Sequence, residues 1–152
     1  MSQIELALFL ESAVRLGIPL ALAAMGETIT ERSGVINIGL EGSIIAGALG
    51  GALGAIALEG AGLGLAFGAL AGLLVALVFA VFAIGLGADQ IITGTAVTIG
   101  GLGMTGAVYQ VLFGANGMEL SVPTLAPVTI PWLSEIPVVG SALFAQAPTA
   151  YF

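Results

Sequence analysis

The residues best suited to chemistry lie in the sequence VINIGLEG at positions 35–42. Asn37 and Glu41 stand at positions i and i+4, a spacing that places both side chains on one face of a helix. A carboxylate beside an amide, with glycines close by, would line a polar cavity and hydrogen-bond a ligand that carries hydroxyl groups. The alternative is structural: Glu41 bonds a neighbouring helix or Arg32 and fixes the packing. The residue types leave both interpretations open.

A second polar group, Asp89-Gln90, begins a later apolar stretch. At a helix N-terminus Asp89 is expected to act first as a cap and as a partner of the helix dipole, and only second as a ligand. Thr93, Thr95 and Thr98 add hydroxyls further along the same stretch. Threonines in membrane helices commonly bond back to their own backbone, so we do not expect these three to contact a ligand.

The composition determines the solvent in which these residues work. Of the 152 residues 59% are hydrophobic, 24 are Gly and only 7% are charged, and the mean hydropathy is +1.18. Soluble domains carry about 25% charged residues. The lipid bilayer suits such a chain, which excludes a soluble enzyme and a disordered linker.

Charge and residue usage exclude further classes. Two Arg and a formal charge of -7 leave no basic patch for nucleic acid. With no Cys and no His there is no disulfide, thiolate chemistry or zinc site, and the commonest general base is missing. The chain also has no phosphate-binding loop motif. We therefore expect a protein that is not an enzyme and carries no cofactor or metal.

Four apolar stretches reach the roughly 20 residues that a membrane-spanning helix needs. Alternating patterns typical of barrel strands are absent from them, so the fold class predicted is all-α, a polytopic integral membrane helix bundle. The polar run 27–34 separates the first two stretches, with Thr28 and Glu31 at capping-box spacing and Ser33 as a possible cap for the helix that follows. The predicted spans cover residues 4–26, 35–58, 61–86 and 90–113.

Glycines recur at every fourth position along one face of the second and third stretches. Small residues at this spacing let helix backbones approach closely, which is the main packing device inside lipid. The residues predicted to pack the helices in this way are Gly47, Gly51, Gly60, Gly64, Gly68 and Gly72.

Beyond the fourth stretch the chain becomes rich in proline. Residues 114–147 are predicted to form a long ordered loop outside the hydrocarbon, with Trp132 as an interface anchor. Residues 148–152 resemble the start of a further apolar span.

Three segments together resemble one family. Residues 26–42, GETITERSGVINIGLEG, are similar to the signature of ABC-importer permeases of the branched-chain amino acid and ribose superfamily, and most similar to its nucleoside and simple-sugar branch. DQIITG at 89–94 resembles the Asn-Gln-Val-Val-x-Gly motif of that branch, and residues 130–140 resemble its extracytoplasmic Pro-rich loop. Two residues depart from the family pattern. Asp89 stands where the family usually has Asn, and Thr98 stands where Asn is common.

The resemblance implies a multi-pass protein of the cell (inner) membrane that imports nucleosides or simple sugars. It places Asn37, Glu41 and Gln90 in the substrate pathway. The implied partners are a second permease subunit, a cytoplasmic ATP-binding subunit, an extracytoplasmic substrate-binding protein and membrane lipid. The resemblance covers only about the N-terminal half of a family member and omits the loop that docks the ATPase. We therefore expect a fragment with an in-frame continuation after Phe152.

Two other functions fit the composition. Gly-rich helices with a membrane carboxylate are typical of proteolipid-like ion carriers, although those are two-helix hairpins with the carboxylate at mid-helix. A structural membrane scaffold without a transport role is the other alternative. Co-purification of a nucleotide-binding subunit would argue against a scaffold.

Overall fold

The computed structural model describes residues 3–114, 121–134, 136 and 139–151. Within these residues, four helices are long and apolar enough to cross a membrane. The predicted all-α, polytopic membrane fold is thereby confirmed. The four are α1 (Gln3–Arg32), α2 (Leu40–Ala57), α3 (Ala61–Ala80, continued by a π-helical turn at Val81–Gly85) and α4 (Gln90–Phe113). The chain forms two compact units, one of residues 27–124 and one of residues 1–26 with 125–152.

The first helix continues past the predicted end at residue 26 and stops at Arg32. The polar residues of this stretch satisfy one another within the helix. The Thr30 hydroxyl donates to the Glu27 carbonyl oxygen at 2.8 Å and lies 3.0 Å from the Glu27 Oε2. The chain leaves the helix at Gly34, whose φ of 86° lies in the left-handed region that favours glycine.

The capping roles predicted in this stretch are wrong. Thr28 and Glu31 lie inside α1, where no helix begins. The Ser33 hydroxyl donates backwards to the Thr30 carbonyl at 2.7 Å instead of capping the following helix. Capping-box spacing predicted a break in the chain where a continuous helix runs.

The second helix begins at Leu40, five residues later than predicted. Residues 35–39, called the connecting segment below, form no regular helix. The N–H groups of Ile36 and Asn37 bond to side chains of other elements. Because those groups have partners outside the segment, an earlier helix start is not needed to satisfy them.

Helices α2 and α3 pack with their backbones in direct contact. A Cβ added at Gly68 would lie 2.9 Å from the Gly47 carbonyl oxygen, and one at Gly64 would lie 2.8 Å from the Gly51 carbonyl oxygen. Gly72 faces α2 in the same way, with its Cβ position 3.2 Å from the Ser43 carbonyl oxygen. Only glycine permits this approach.

The inclusion of Gly60 in that packing face is wrong. Gly60 precedes α3 as its N-cap, in extended backbone. The three atoms nearest to a Cβ added there belong to Leu58 and Leu63, its own neighbours in the turn. Its place in the four-residue repeat is therefore a coincidence of spacing.

Glycine contacts also join α4 to α2 and to the connecting segment, which the sequence did not indicate. A Cβ at Gly101 would lie 2.9 Å from the Gly42 Cα, and one at Gly94 would lie 2.9 Å from the Gly39 nitrogen. Two backbones thus meet at the N-terminal end of α2. The candidate site lies at this junction.

The other unit contains residues 3–26 of α1 and short elements in the region predicted as a loop. Strand β1 (Val128–Thr129) pairs antiparallel with β2 (Ala145–Gln146), and α5 (Val139–Phe144) precedes β2. The Tyr151 hydroxyl accepts from the Gln146 N–H and donates to the Val128 carbonyl, both at 3.0 Å.

These elements lie in the region predicted as a long ordered loop followed by the start of a further span. Pro148–Ala150 form a 3-10 turn, and Tyr151 folds back on the strand pair through its hydroxyl. Trp132 is 86% exposed at a φ of 71°, and its role as an interface anchor remains a prediction. Residues 115–120, 135, 137, 138 and 152 of the predicted loop and span lie outside the described residues.

Candidate functional site

The connecting segment is bound by side chains from two helices. Three successive residues of the segment, 36, 37 and 38, each have one backbone group bonded to a side chain of a helix. The bonds are Ile36 N–H to Gln90 Oε1 at 2.8 Å, Asn37 N–H to Glu27 Oε1 at 2.8 Å, and Thr98 Oγ1 to the Ile38 carbonyl at 3.1 Å.

Such bonds are what non-helical backbone needs inside an apolar protein. Irregular backbone at membrane depth is tolerated only where protein groups or a water-filled cavity satisfy it. Glu27 and Gln90 supply acceptors and Thr98 supplies a donor. With these groups satisfied, the segment stays non-helical between α1 and α2. Backbone held in this way can present polar groups to a ligand.

A pocket of about 370 Å³ opens beside the connecting segment. Its volume falls within the range of roughly 300–1,000 Å³ that small-ligand sites occupy. One wall comes from the segment and the start of α2, and the other from α4. The residues that line it are Asn37, Ile38, Leu40, Glu41, Thr95, Thr98 and Ile99.

Asn37 and Glu41 both line this pocket, but not for the reason predicted. Asn37 precedes α2, so the two residues do not share a helical face. They come together because the connecting segment turns into the helix at Ile38 and Gly39. The predicted shared helical face of Asn37 and Glu41 is therefore wrong.

The polar groups of the two residues differ in their surroundings. The Glu41 side chain is exposed and has no hydrogen bond or ion pair with any described residue, Arg32 included. The Asn37 Oδ1 is buried and has no partner among the described residues. A buried acceptor without a partner costs about 1–3 kcal/mol, so this amide is a group that a ligand or a water molecule would satisfy.

Gly39 makes room for the Asn37 amide. A Cβ added at Gly39 would lie 3.2 Å from the Asn37 Oδ1 and 3.2 Å from the Val97 Cγ1. A larger residue at this position would press on both the amide and α4. The glycines in the signature thus serve the shape of the site.

Gln90 lies beside the pocket but does not line it. Its side-chain oxygen accepts from the Ile36 N–H at 2.8 Å, so the observed bond of this residue is to the protein backbone. The structure therefore gives Gln90 a supporting position behind the pocket wall. Its predicted place in the substrate pathway is not accompanied by a side chain that lines this pocket.

Asp89, which precedes α4, and Thr95 within it follow the expectations for polar groups in helices. Asp89 caps α4, accepting from the N–H groups of Ile91 and Ile92 at 2.9 Å each, as predicted. The Thr95 hydroxyl donates to the carbonyl of Ile91 at 2.8 Å, also as predicted.

Thr98 breaks the expectation for threonines, because its hydroxyl bonds the connecting segment instead of its own helix. Glu27 was missed as well, since it lies in the polar run between the first two predicted spans. Both bonds join residues well apart in sequence, 60 positions for Thr98 and 10 for Glu27. Local patterns carry no signal for either bond.

Within the described residues, no group of three or more His, Cys, Asp or Glu is placed to hold a metal ion.

Comparison with known proteins agrees with this architecture. Residues 9–144 match the family described as the permease component of branched-chain amino acid transport systems. A guanosine ABC transporter permease of Bacillus subtilis is 36% identical over 137 residues, 84% of this chain and 42% of that protein. A nucleoside ABC transporter permease of Lactococcus lactis is 30% identical over 134 residues, again 84% of this chain and 42% of that protein.

A third relative, from Haloferax volcanii, is provisionally named a glucose ABC transporter permease. It is 34% identical over 146 residues, 93% of this chain and 43% of its own length. No solved structure matches the chain. The chain spans 42–43% of the length of these three relatives.

The matched region includes α2, α3, α4 and the connecting segment, so it contains the whole pocket. The relatives are permeases, and they give no support to the ion-carrier alternative. The family resemblance of the signature is confirmed, and with four apolar helices the protein is a multi-pass protein of the cell membrane. The chain belongs to the family of permease components of branched-chain amino acid transport systems.

Proposed function

We propose that this chain supplies part of the substrate pathway in the permease subunit of an ATP-driven importer of nucleosides or simple sugars. The observation that carries the proposal is the pocket, which brings together an amide from the connecting segment, a carboxylate from the start of α2 and two hydroxyls from α4. The partners of such a subunit are a second permease subunit, a cytoplasmic ATP-binding subunit and an extracytoplasmic substrate-binding protein.

The chemistry of the pocket favours a hydroxyl-rich cargo. Glu41 offers only acceptors when ionised, and the Thr95 and Thr98 hydroxyls already donate to backbone carbonyls, which leaves their oxygens as acceptors. Sugar hydroxyls donate hydrogen bonds. The apolar side chains of Ile38, Leu40 and Ile99 complete the lining. Mixed linings of this kind suit the faces of a sugar ring or a base.

The names of the relatives support the same range of cargo. Guanosine and other nucleosides contain a ribose or deoxyribose, and glucose is itself a sugar. A shared sugar ring is the chemical feature common to these names. We therefore propose that Asn37 and Glu41 bind sugar hydroxyls.

The test is uptake of radiolabelled guanosine and glucose by cells that express the intact transporter containing this chain. Glu41→Gln should lower uptake at least tenfold, because an acceptor-only carboxylate becomes an amide, while the amount of protein in the membrane stays unchanged. Glu59→Gln is the matched control, since Glu59 is an exposed carboxylate in the turn between α2 and α3 and does not line the pocket. Normal uptake by Glu41→Gln would leave Glu41 with only a structural role.

A further inference from the structure

Glu27 is a carboxylate bound to the connecting segment, and the proposed function does not use it. Its Oε1 accepts from the Asn37 N–H at 2.8 Å. Its Oε2 lies 3.0 Å from the Thr30 hydroxyl, which also donates to the Glu27 carbonyl. One carboxylate thus joins the last turns of α1 to the backbone of a pocket residue.

The two ends of this carboxylate have different functions. Thr30 is one turn away on the same helix, so its contact restricts the rotamer of the Glu27 side chain. With the rotamer restricted, the other oxygen is aimed at residue 37. A charge-assisted bond to a backbone N–H is among the stronger hydrogen bonds in proteins.

The bond matters because Asn37 has no helix to hold it. Residue 37 precedes α2, and its N–H makes no helical hydrogen bond. The flanking residues are bound by α4, through Gln90 at Ile36 and Thr98 at Ile38. The Asn37 carbonyl accepts from the Leu40 N–H at 3.3 Å, and among the described residues Glu27 supplies the side chain that binds the Asn37 N–H.

We propose that Glu27 is a positioning residue, which sets the place of the Asn37 amide in the pocket by fixing the backbone of residue 37. Glu27 does not line the pocket and therefore acts on the cargo only through Asn37. The Asn37 Oδ1 is covered in this state, so the amide must turn to meet a cargo hydroxyl. A fixed backbone allows this turn without moving the pocket wall. The inference rests on the proposed function, since it needs Asn37 to bind cargo.

The experiment measures KM and maximal rate of guanosine or glucose uptake by the intact transporter. Glu27→Ala should raise KM roughly tenfold, the factor expected for losing a hydrogen bond to a charged group. Glu27→Gln keeps an acceptor for the Asn37 N–H and should retain a KM close to that of the wild type. Glu31→Ala, an exposed carboxylate on the same helix, is the matched control and should leave KM unchanged.

The double variant Glu27→Ala/Asn37→Ala separates a positioning role from a general structural one. If Glu27 acts through Asn37, the KM of the double variant should equal that of Asn37→Ala alone. The inference would be overturned if the two single-variant increases in KM multiplied in the double variant, or if Glu27→Ala had a normal KM. A KM raised equally in Glu27→Gln would also overturn it, because the charge and not the hydrogen bond would then matter.

Two further outcomes keep the test decisive. If Asn37→Ala itself has a normal KM, the proposed function fails at this residue, and that result is distinct from a failure of Glu27 alone. If Glu27→Ala does not reach the membrane, Glu27→Asp replaces it, since its shorter side chain cannot span the same distance. The same tenfold rise in KM is expected of that variant, and a normal KM would contradict the inference.

Discussion

The side chain of Gln90 and the backbone N–H of Ile36, 54 positions apart in the chain, are joined by a hydrogen bond of 2.8 Å. The bond ties the first residue of α4 to the connecting segment. Through it, the start of one helix supports the irregular backbone that precedes another.

Removing this bond should loosen the connecting segment. Gln90→Ala is expected to lower the local opening free energy by about 1 kcal/mol, and the amides of residues 35–39 should exchange with deuterium faster. Gln90→Glu keeps the acceptor and should exchange as the wild type does. Gln110→Ala, at an exposed position near the other end of α4, serves as control. Identical exchange in Gln90→Ala and the wild type would show that the bond does not hold the segment.

The contact between α2 and α3 can be tested with two alanine substitutions on the same helix. A Cβ at Gly64 would lie 2.6 Å from the Ala55 Cβ, so Gly64→Ala should push the helices apart and lower stability by about 1–3 kcal/mol. Gly62 has nothing within 4 Å of its Cβ position, and Gly62→Ala should be neutral or slightly stabilising. Unfolding in detergent, followed by circular dichroism, compares the two. Equal stabilities would mean that the close approach contributes nothing.

A second pair of glycines connects helix packing to the pocket. A Cβ added at Gly101 would lie 2.9 Å from the Cα of Gly42, the residue after Glu41. A Cβ added at Gly100 would have nothing within 4 Å. Gly101→Ala should displace α4 from the start of α2 and raise the KM for uptake several-fold, because α4 carries one wall of the pocket. Gly100→Ala should transport normally. A normal KM in both variants would argue against a pocket shaped by this contact.

The cap of α4 predicts a difference between two substitutions at one position. Asp89→Ala removes the acceptor for two N–H groups and should cost about 1 kcal/mol of stability. Asp89→Asn should cost little, because Asn caps helices about as well as Asp does. The family motif usually has Asn here, and capping accounts for both residue types. Thermal unfolding of the purified protein measures the two effects, and an unchanged midpoint for Asp89→Ala would refute the capping role.

The sequence predicted those features of the fold that depend on nearby residues. The apolar length of Gln90–Phe113, the cap at Asp89 and the four-residue spacing of Gly64, Gly68 and Gly72 are all local patterns. Residues 27–32 differ from the prediction, because the polar run that separates the first two predicted spans lies inside α1. There Thr30 and Glu27 satisfy each other within the helix.

The candidate site was only partly predictable, because its bonds join distant residues. Asn37 and Glu41 line one pocket, but the helical spacing that suggested their pairing is absent from the connecting segment. Thr98 and Glu27 hold that segment over sequence separations of 60 and 10. A hydrogen bond of this kind leaves no periodic trace in the chain, so only the three-dimensional arrangement shows it.

The glycine contact between α2 and α3 has a consequence for how these two helices move. Glycine has no rotamers to freeze, so the two helices associate at these positions without loss of side-chain entropy, and their touching backbones resist sliding. We therefore expect α2 and α3 to move as one rigid unit. Glu41 lies at the start of α2 and belongs to that unit, whereas Asn37 lies on the non-helical backbone that precedes it. A change in the shape of the pocket is therefore expected to move the Asn37 amide more than the Glu41 carboxylate.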